Sequence, residues 1–331
     1  REGHDFPESV ERVANRFGFK LDYESGCDGK NDKSFRGQLL EIHELVTDYW
    51  RRCFLEDPVH GEWIRDYWSR QRKFSPEVAD DFGIGFAPLD DSKLIPGLLA
   101  KGYAKEALAQ TGLFFGVDRV PDPLRWRCRF RGRLIIPIRD IQGRVIAFTA
   151  RQLDITPQDD PSREAKYVNS PETPIFSKGR VLFALDKAKR PILDAGKAIL
   201  AEGQLDTIAC HAAGIRNVVA PQGTAFTADQ ARVLKRYVDE VVLCFDGDKA
   251  GRNAVIRALD PLLAAGLAIR VASIPPPDDP DSWIRAHGAE SFQALLNRAQ
   301  GIFDFYLQTL LLKNLLITHK CLYHALIKVE F

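Results

Sequence analysis

Acidic residues fall in three groups, and each group follows an apolar run of strand type. Glu202 comes directly after AILA (198–201), with Asp206 four residues on. Asp246-Gly-Asp248 follows VVLCF (241–245), and Asp279-Pro-Asp281 closes the loop after VASI (271–274). If the three strands are neighbours, their acids converge at the carboxyl edge, where open α/β sheets build sites. Converging carboxylates repel one another. A hard divalent cation such as Mg2+ or Mn2+ relieves that repulsion with an all-oxygen ligand set. Two such ions can hold the attacking and leaving oxygens of a phosphoryl displacement. Gly247 and Gly251 let the backbone turn beside the acids, and Pro280 stiffens the spacing of Asp279 and Asp281. A single Asp-x-Asp after a strand is more often a turn former or helix N-cap. Three groups within one short segment favour a metal site.

A second constellation is basic. Residues 119–151 hold nine arginines (119, 125, 127, 129, 131, 133, 139, 144 and 151) against two acids, Asp122 and Asp140, a net charge of +7. Alternation from Arg125 to Arg133 predicts a ridge on one face of an extended segment. No acid within that segment neutralises it, and Trp126 and Phe130 interleave. A phosphate backbone with stacked bases suits such a surface. Lys166, Tyr167, Asn169 and Lys178 follow as candidates to hold a triphosphate or template phosphate, and Arg72 precedes them.

The elements that must position these residues read as follows. Apolar spacing predicts a helix over 5–19, and polar residues 22–37 read as a linker. A helical region runs from Leu39 to about Leu113, broken by prolines. The runs at 134–140 and 144–151 predict a β-hairpin through Gly143, and acidic, proline-containing residues 154–164 a surface loop. From 197 onward strand-like runs (197–201, 217–220, 240–245, 268–274) alternate with helical stretches (204–213, 227–237, 250–264), which predicts a mostly parallel sheet. Residues 289–312 read as helical. The fold class is α/β: an α+β N-terminal part and a parallel-sheet α/β part.

The trio Glu202, Asp246-Gly-Asp248 and Asp279-Pro-Asp281 resembles the Toprim domain of primases, topoisomerases and some nucleases. AEGQLDTIACHAAGIRNVVAPQGTAFT (201–227) and FDGDKAGRNA (245–254) resemble that domain in DnaG-type primases. KYVNSPETPIFSKGRVLFAL (166–185), RLIIPIRDIQGRVIAFTARQL (133–153) and SPEVADDFGIGFAP (75–88) are similar to segments of the same family. The likeness runs in order from about residue 5 to about residue 306. Gln204-Leu205 departs from the family's aromatic-Met pair, and residues 309–331 do not resemble its continuation.

The resemblance implies residues 1–37 as the helix after a missing zinc ribbon plus linker. It implies 38–190 as an N-terminal primase part with a basic groove, 191–285 as Toprim, and 286–331 as a helical end. It implies synthesis of short RNA primers from ribonucleoside triphosphates on a single-stranded DNA template. Glu202, Asp246 and Asp248 would be catalytic. With Asp279 and Asp281 they would hold Mg2+ or Mn2+, two or more ions, supported by Asp206, Gly247 and Gly251. Arg129, Arg131, Arg133, Arg139, Arg151, Lys166, Tyr167, Asn169 and Lys178 would contact nucleic acid or nucleotide. Zn2+ and a replicative helicase partner would belong to a longer protein acting in the bacterial cytoplasm. Another Toprim enzyme, such as a nuclease or topoisomerase fragment, or a non-catalytic nucleic-acid-binding module, are the alternatives.

Composition excludes other classes. Across 331 residues the chain is 45% hydrophobic and 27% charged with a net charge of +1, ordinary for a globular protein and wrong for disorder or a fibrous repeat. No apolar run is long enough to span a bilayer, so no membrane partner is expected. Six cysteines without a Cys-x-x-Cys pair predict reduced thiols and no zinc cluster within these residues. The absence of methionine reads as an internal piece of a longer protein or as an unusual sequence from which methionine is excluded. No P-loop is present.

Overall fold

The computed structural model describes residues 29–223 and 225–307. The helix predicted over 5–19 and the segment 309–331 lie outside the described residues. The chain divides into two compact units, residues 1–37 and 38–331. Of the first, only the backbone of helix α1 (Gly29–Glu56) and a few side chains are described. The linker expected over 22–37 is therefore helical from Gly29. Its polar residues carry no helix signal of their own, but a helix fixed further along extends cheaply by one hydrogen bond per residue.

In the second unit, Leu39, Ile42, Val46, Trp50 and Phe54 of α1 are buried. Their three- and four-residue spacing puts them on one helix face. Trp50 meets Phe148 edge-on, with centroids 4.9 Å apart. After α2 (Gly61–Asp66) the chain continues into a π-helical turn at Tyr67–Gln71. Helix α3 (Pro76–Phe82) leads into β1 (Gly85–Ala87), a strand that three residues inside a helical region could not announce. Helices α4 (Leu94–Ala100) and α5 (Lys105–Ala109) precede a small pair, β2 (Phe114–Phe115) and β3 (Arg127–Cys128). The expected hairpin follows as β4 (Arg133–Arg139) and β5 (Val145–Gln152), with β6 (Tyr167–Asn169) beside it. Gly143 in the turn has φ 85°, a left-handed conformation suited to glycine. The four strands form an antiparallel sheet in the order β1-β4-β5-β6.

Helix α6 (Leu185–Ala195) leads into the second sheet. This is built from β7 (Lys197–Leu200), α7 (Gln204–Ala212), β8 (Val218–Val219), α8 (Ala228–Lys235), β9 (Glu240–Leu243), α9 (Lys249–Ala264) and β10 (Ala268–Val271). Helix α10 (Pro280–Asn297) and the short β11 (Gln300–Gly301) complete it. The order is β11-β10-β9-β7-β8, with β8, β7, β9 and β10 parallel. One layer of core packs Leu200, Leu243 and Leu262; the other packs Ile199, Val242 and Phe292. From β7 the chain crosses outward to β8, then returns to place β9 on the other side of β7. The two central strands thus flank a switch in connection direction, where the sheet opens a crevice at its carboxyl edge. Among the described residues no helix is long and apolar enough to cross a membrane.

Candidate active site

Glu202 and Asp246 leave adjacent strands at that crevice. Leu200 of β7 is in register with Leu243 of β9, and the two acids follow within three residues. A cleft of ≈ 570 Å3 opens there, lined by Glu202, Asp206, Asp246 and Asp279 on the acidic side and by Arg72, Arg151, Lys166, Tyr167, Asn169 and Arg257 around them. The loop 246–251 is tight. A Cβ on Gly251 would collide with the Asp246 carbonyl, and one on Gly247 with the Ile274 carbonyl. Both glycines are needed for close backbone approach, and neither has the positive φ of a sharp turn.

The remaining acids divide by their partners. Asp248 is the N-cap of α9 and accepts from the Gly251 N–H at 2.8 Å. Asp279 caps α10 and accepts from the Ser282 N–H at 2.6 Å. Both cap helices and stay within electrostatic reach of Asp246. Asp281 lies beneath the cleft, its side chain 3% exposed, 3.1 Å from Arg72 and 3.2 Å from Arg285. Those two arginines, on the π-helical side and on α10, hold it as the centre of an ion-pair triad.

The cleft acids resist ionisation. Burial, followed by the charges of Asp279, Asp246, Asp281 and Glu202, pushes Asp206 up to about 7. Burial, followed by Glu202, Asp279 and Asp248, pushes Asp246 up to about 6, with Lys166 opposing. Glu202 is raised by burial and then by Asp248, with Arg257 opposing. Glu202 Oε2 and Asp246 Oδ1 are buried without a hydrogen-bond partner. Among the described residues no three such side chains are already gathered as one ion's ligands. Orphaned carboxylate oxygens around a charged cleft fit a hard divalent cation in donor type and in charge.

Opposite the acids, Arg151 is fixed between two phenols. Its Nε donates to the Tyr67 hydroxyl and its Nη1 to the Tyr167 hydroxyl, both at 2.6 Å. Asn169 accepts from the Thr149 hydroxyl. Tyr67 and Arg257 carry no mark of function in the sequence. An aromatic in a helical run and an arginine in an amphipathic helix are ordinary, and only the fold brings Arg257 to the cleft and Tyr67 to Arg151.

The arginine ridge does not form. The alternation from Arg125 to Arg133 is broken by a 3-10 turn at Pro123–Arg125, a two-residue strand and a turn. Arg127 and Arg131 both pair with Asp159 at 2.9 Å. Arg133 is wholly buried, donating to the Ser162 and Ala165 carbonyls at 2.7 and 3.0 Å with Asp160 at 3.6 Å. Arg129 lies over Phe115, 4.1 Å from its centroid, and donates to the Gly112 carbonyl. Arg139 donates to the Gly143 carbonyl at 2.6 Å. Trp126 and Phe130 are buried and cannot receive bases. The neutralising acids exist, but about thirty residues on, in the 154–164 loop. Lys178 is not among the cleft residues; its carbonyl accepts from Gln230 of α8.

Comparison with known proteins fits this architecture. Residues 53–189 match the family described as DNA primase catalytic core, N-terminal domain, and residues 199–284 the Toprim-like family. The DNA primase of Pseudomonas putida is 36% identical over 311 residues, covering 92% of this chain and 45% of the relative. The chain spans about half the length of the curated relatives it matches. The RNA polymerase domain of Mycobacterium tuberculosis primase superposes with a TM-score of 0.74 at 33% identity, covering 83% of this chain and 87% of that one. A DnaG primase catalytic domain bound to single-stranded DNA superposes with a TM-score of 0.72 at 33% identity, covering 85% and 84%. Divalent metal use is a general property of such proteins.

Proposed function

Since this chain belongs to the family of DnaG-type primase catalytic cores, we propose that it synthesises short RNA primers on single-stranded DNA by nucleotidyl transfer. The observation that carries this reading is the cleft whose one wall is acidic and whose other wall is cationic. An acidic wall alone would suit a hydrolase. The facing Lys166, Arg72 and Arg151 suit a triphosphate and a template backbone held against it.

In this reading residues 38–190 supply the cationic wall and 191–285 the acids. The primer 3′-hydroxyl attacks the α-phosphate of a ribonucleoside triphosphate, an O–P bond forms, and pyrophosphate departs. Glu202, its pKa raised by burial, accepts the hydroxyl proton. Lys166, beside Asp246, balances charge on the transferring phosphate. Glu202, Asp246 and Asp248, with Asp279, would hold Mg2+ or Mn2+, and Asp206 supports them. When bound, such ions lower the pKa of the hydroxyl and stabilise charge on the departing oxygens. Asp281, committed to Arg72 and Arg285, positions the cationic wall. Template and nucleotide binding falls to Arg72, Arg151, Lys166, Tyr167 and Asn169. A replicative helicase partner, a zinc ribbon and a cytoplasmic place in replication belong to the same proposal, as properties of a longer protein.

The test is primer synthesis from labelled ribonucleotides on a single-stranded template with Mg2+ or Mn2+, beside template binding. Synthesis that is lost in Glu202→Gln while template binding persists is the expected result. Template binding without synthesis by the parent chain, under either metal, would leave a binding module and overturn the catalytic reading.

A further inference from the structure

A second depression, of ≈ 530 Å3, lies between α1 and α4, and none of its lining residues belongs to the acidic cleft. Its floor is aliphatic, formed by Leu45, Leu94 and Leu98. Its rim carries Arg52, Lys93 and Lys101 beside Asp48, with Asp90 within electrostatic reach of Lys93. Arg51 also borders it but is engaged by Asp80 and the Ile84 carbonyl. Among the described residues no acid stands at ion-pair distance from Arg52, Lys93 or Lys101. That contrasts with the arginines of 127–144, nearly all of which are paired.

Gly97 adds an independent observation. It sits inside α4, where glycine is less favourable than alanine. A Cβ there would meet nothing within 4 Å, and the residue lines the depression. A helix glycine with open space above it keeps the groove empty without serving the helix's own packing.

We propose that this groove docks an acidic, amphipathic peptide segment of a partner protein. Apolar side chains of such a segment would cover the aliphatic floor, and its carboxylates would meet Arg52, Lys93 and Lys101. A nucleic-acid strand would gain from the cations, but its bases stack best on aromatic rings rather than on leucines. Strand-binding surfaces interleave their cations with stacking rings, and among the described residues Tyr49 is the one aromatic lining this groove.

The probe is a fluorescein-labelled peptide of about 12 residues, three helical turns, with leucines at i, i+3, i+4 and i+7 and Asp or Glu elsewhere. Anisotropy is read against the full chain at about 50 and 300 mM salt. Saturable, salt-weakened binding is expected, falling about tenfold for the Arg52→Glu/Lys101→Glu double variant. It should also fall about tenfold when the peptide's leucines become serines. Gly97→Phe fills the groove without touching a charge, and it replaces glycine by a better helix former. It should keep the parent melting midpoint and lose the peptide to the same degree. Binding of a twelve-nucleotide oligo(dT) should be unchanged in all these variants. No saturable binding by the parent chain, or equal binding by Gly97→Phe, overturns the proposal. Loss of oligo(dT) instead of peptide overturns it too, and makes the groove a nucleic-acid surface.

Discussion

The two charged constellations make opposite use of their charge. The arginines of 127–144 are spent inside their own half of the molecule: Arg127 and Arg131 on Asp159, Arg133 on Asp160 and two carbonyls, Arg139 on a turn carbonyl. The acids after β7 and β9 keep orphaned oxygens, Glu202 Oε2 and Asp246 Oδ1, in a shared cleft. A run of like charge in sequence says nothing of how far it is neutralised. That depends on what distant loops bring opposite it. The basic surface that does face the acids comes from Arg72 and, about eighty residues on, from Arg151 and Lys166 beside the paired strands β5 and β6.

The sharpest way to test this contrast is to treat Arg133 as a structural residue. Arg133→Met would leave the buried Asp160 without its cation, a loss of about 3–5 kcal/mol. Chemical denaturation should show it as a lower midpoint. A folded, equally stable variant that failed only in template binding would return Arg133 to the nucleic-acid surface.

Asp246→Asn attacks the other side. Steady-state synthesis should drop on the order of 10²–10³-fold, comparable to removing one preorganised electrostatic group. Template affinity should hold, because the substitution removes like-charge repulsion in the cleft. A synthesis rate near the parent's would remove Asp246 from the chemistry.

Template binding separates the cationic wall from the paired arginines. Lys166→Ala and Arg151→Ala should each flatten the salt dependence of single-strand binding, by about 0.7 log units per log salt for every phosphate left without its cation. The double variant Arg127→Ala/Arg131→Ala should leave that slope unchanged. An equal change in both would show that Asp159 releases its arginines to the template.

The smallest effect is on stability against pH. Asp206 and Asp246 titrate in the folded chain near 7 and 6, above the ordinary value near 4. Between about pH 4 and 7 these two carboxyls hold more protons folded than unfolded and make stability fall as pH rises, while buried His43, pushed down to about 4, acts in the opposite sense. Without divalent ions the parent's melting midpoint should decline across that window relative to that of Asp206→Asn. Asp206→Asn should flatten the decline and raise the midpoint at pH 7 by at least about 2–4 °C, the shift that about 1 kcal/mol gives a domain of 150–250 residues. Mg2+ should shrink the gap between parent and variant. A gap between variant and parent that does not widen with pH would mean Asp206 is already compensated.

Some of this is legible in the sequence. The strands at 197–200 and 240–243, the helices after them, and the placing of Glu202 and Asp246 at their carboxyl ends all follow from local pattern. Apolar runs of period two and helices of period 3.6 are written in nearest neighbours, and the acids lie within three residues of the strands that carry them. The hairpin through Gly143 is legible for the same reason.

Other features depend on pairings across the sequence. The strand Gly85–Ala87 exists because β4 pairs with it, Phe86 opposite Leu134. Asp281 is the partner of Arg72 across 209 residues, a pairing that no spacing within its own loop could signal. The sequence by itself determined which residues are acids, where the parallel strands run and hence which edge bears the carboxylates, since these follow from short-range pattern and backbone chirality. Only the tertiary structure decided which charges remain unpaired. A side chain's ionic partner is set by whatever lies within a few ångströms in space, and Coulomb energy is indifferent to how many residues of chain lie between the two.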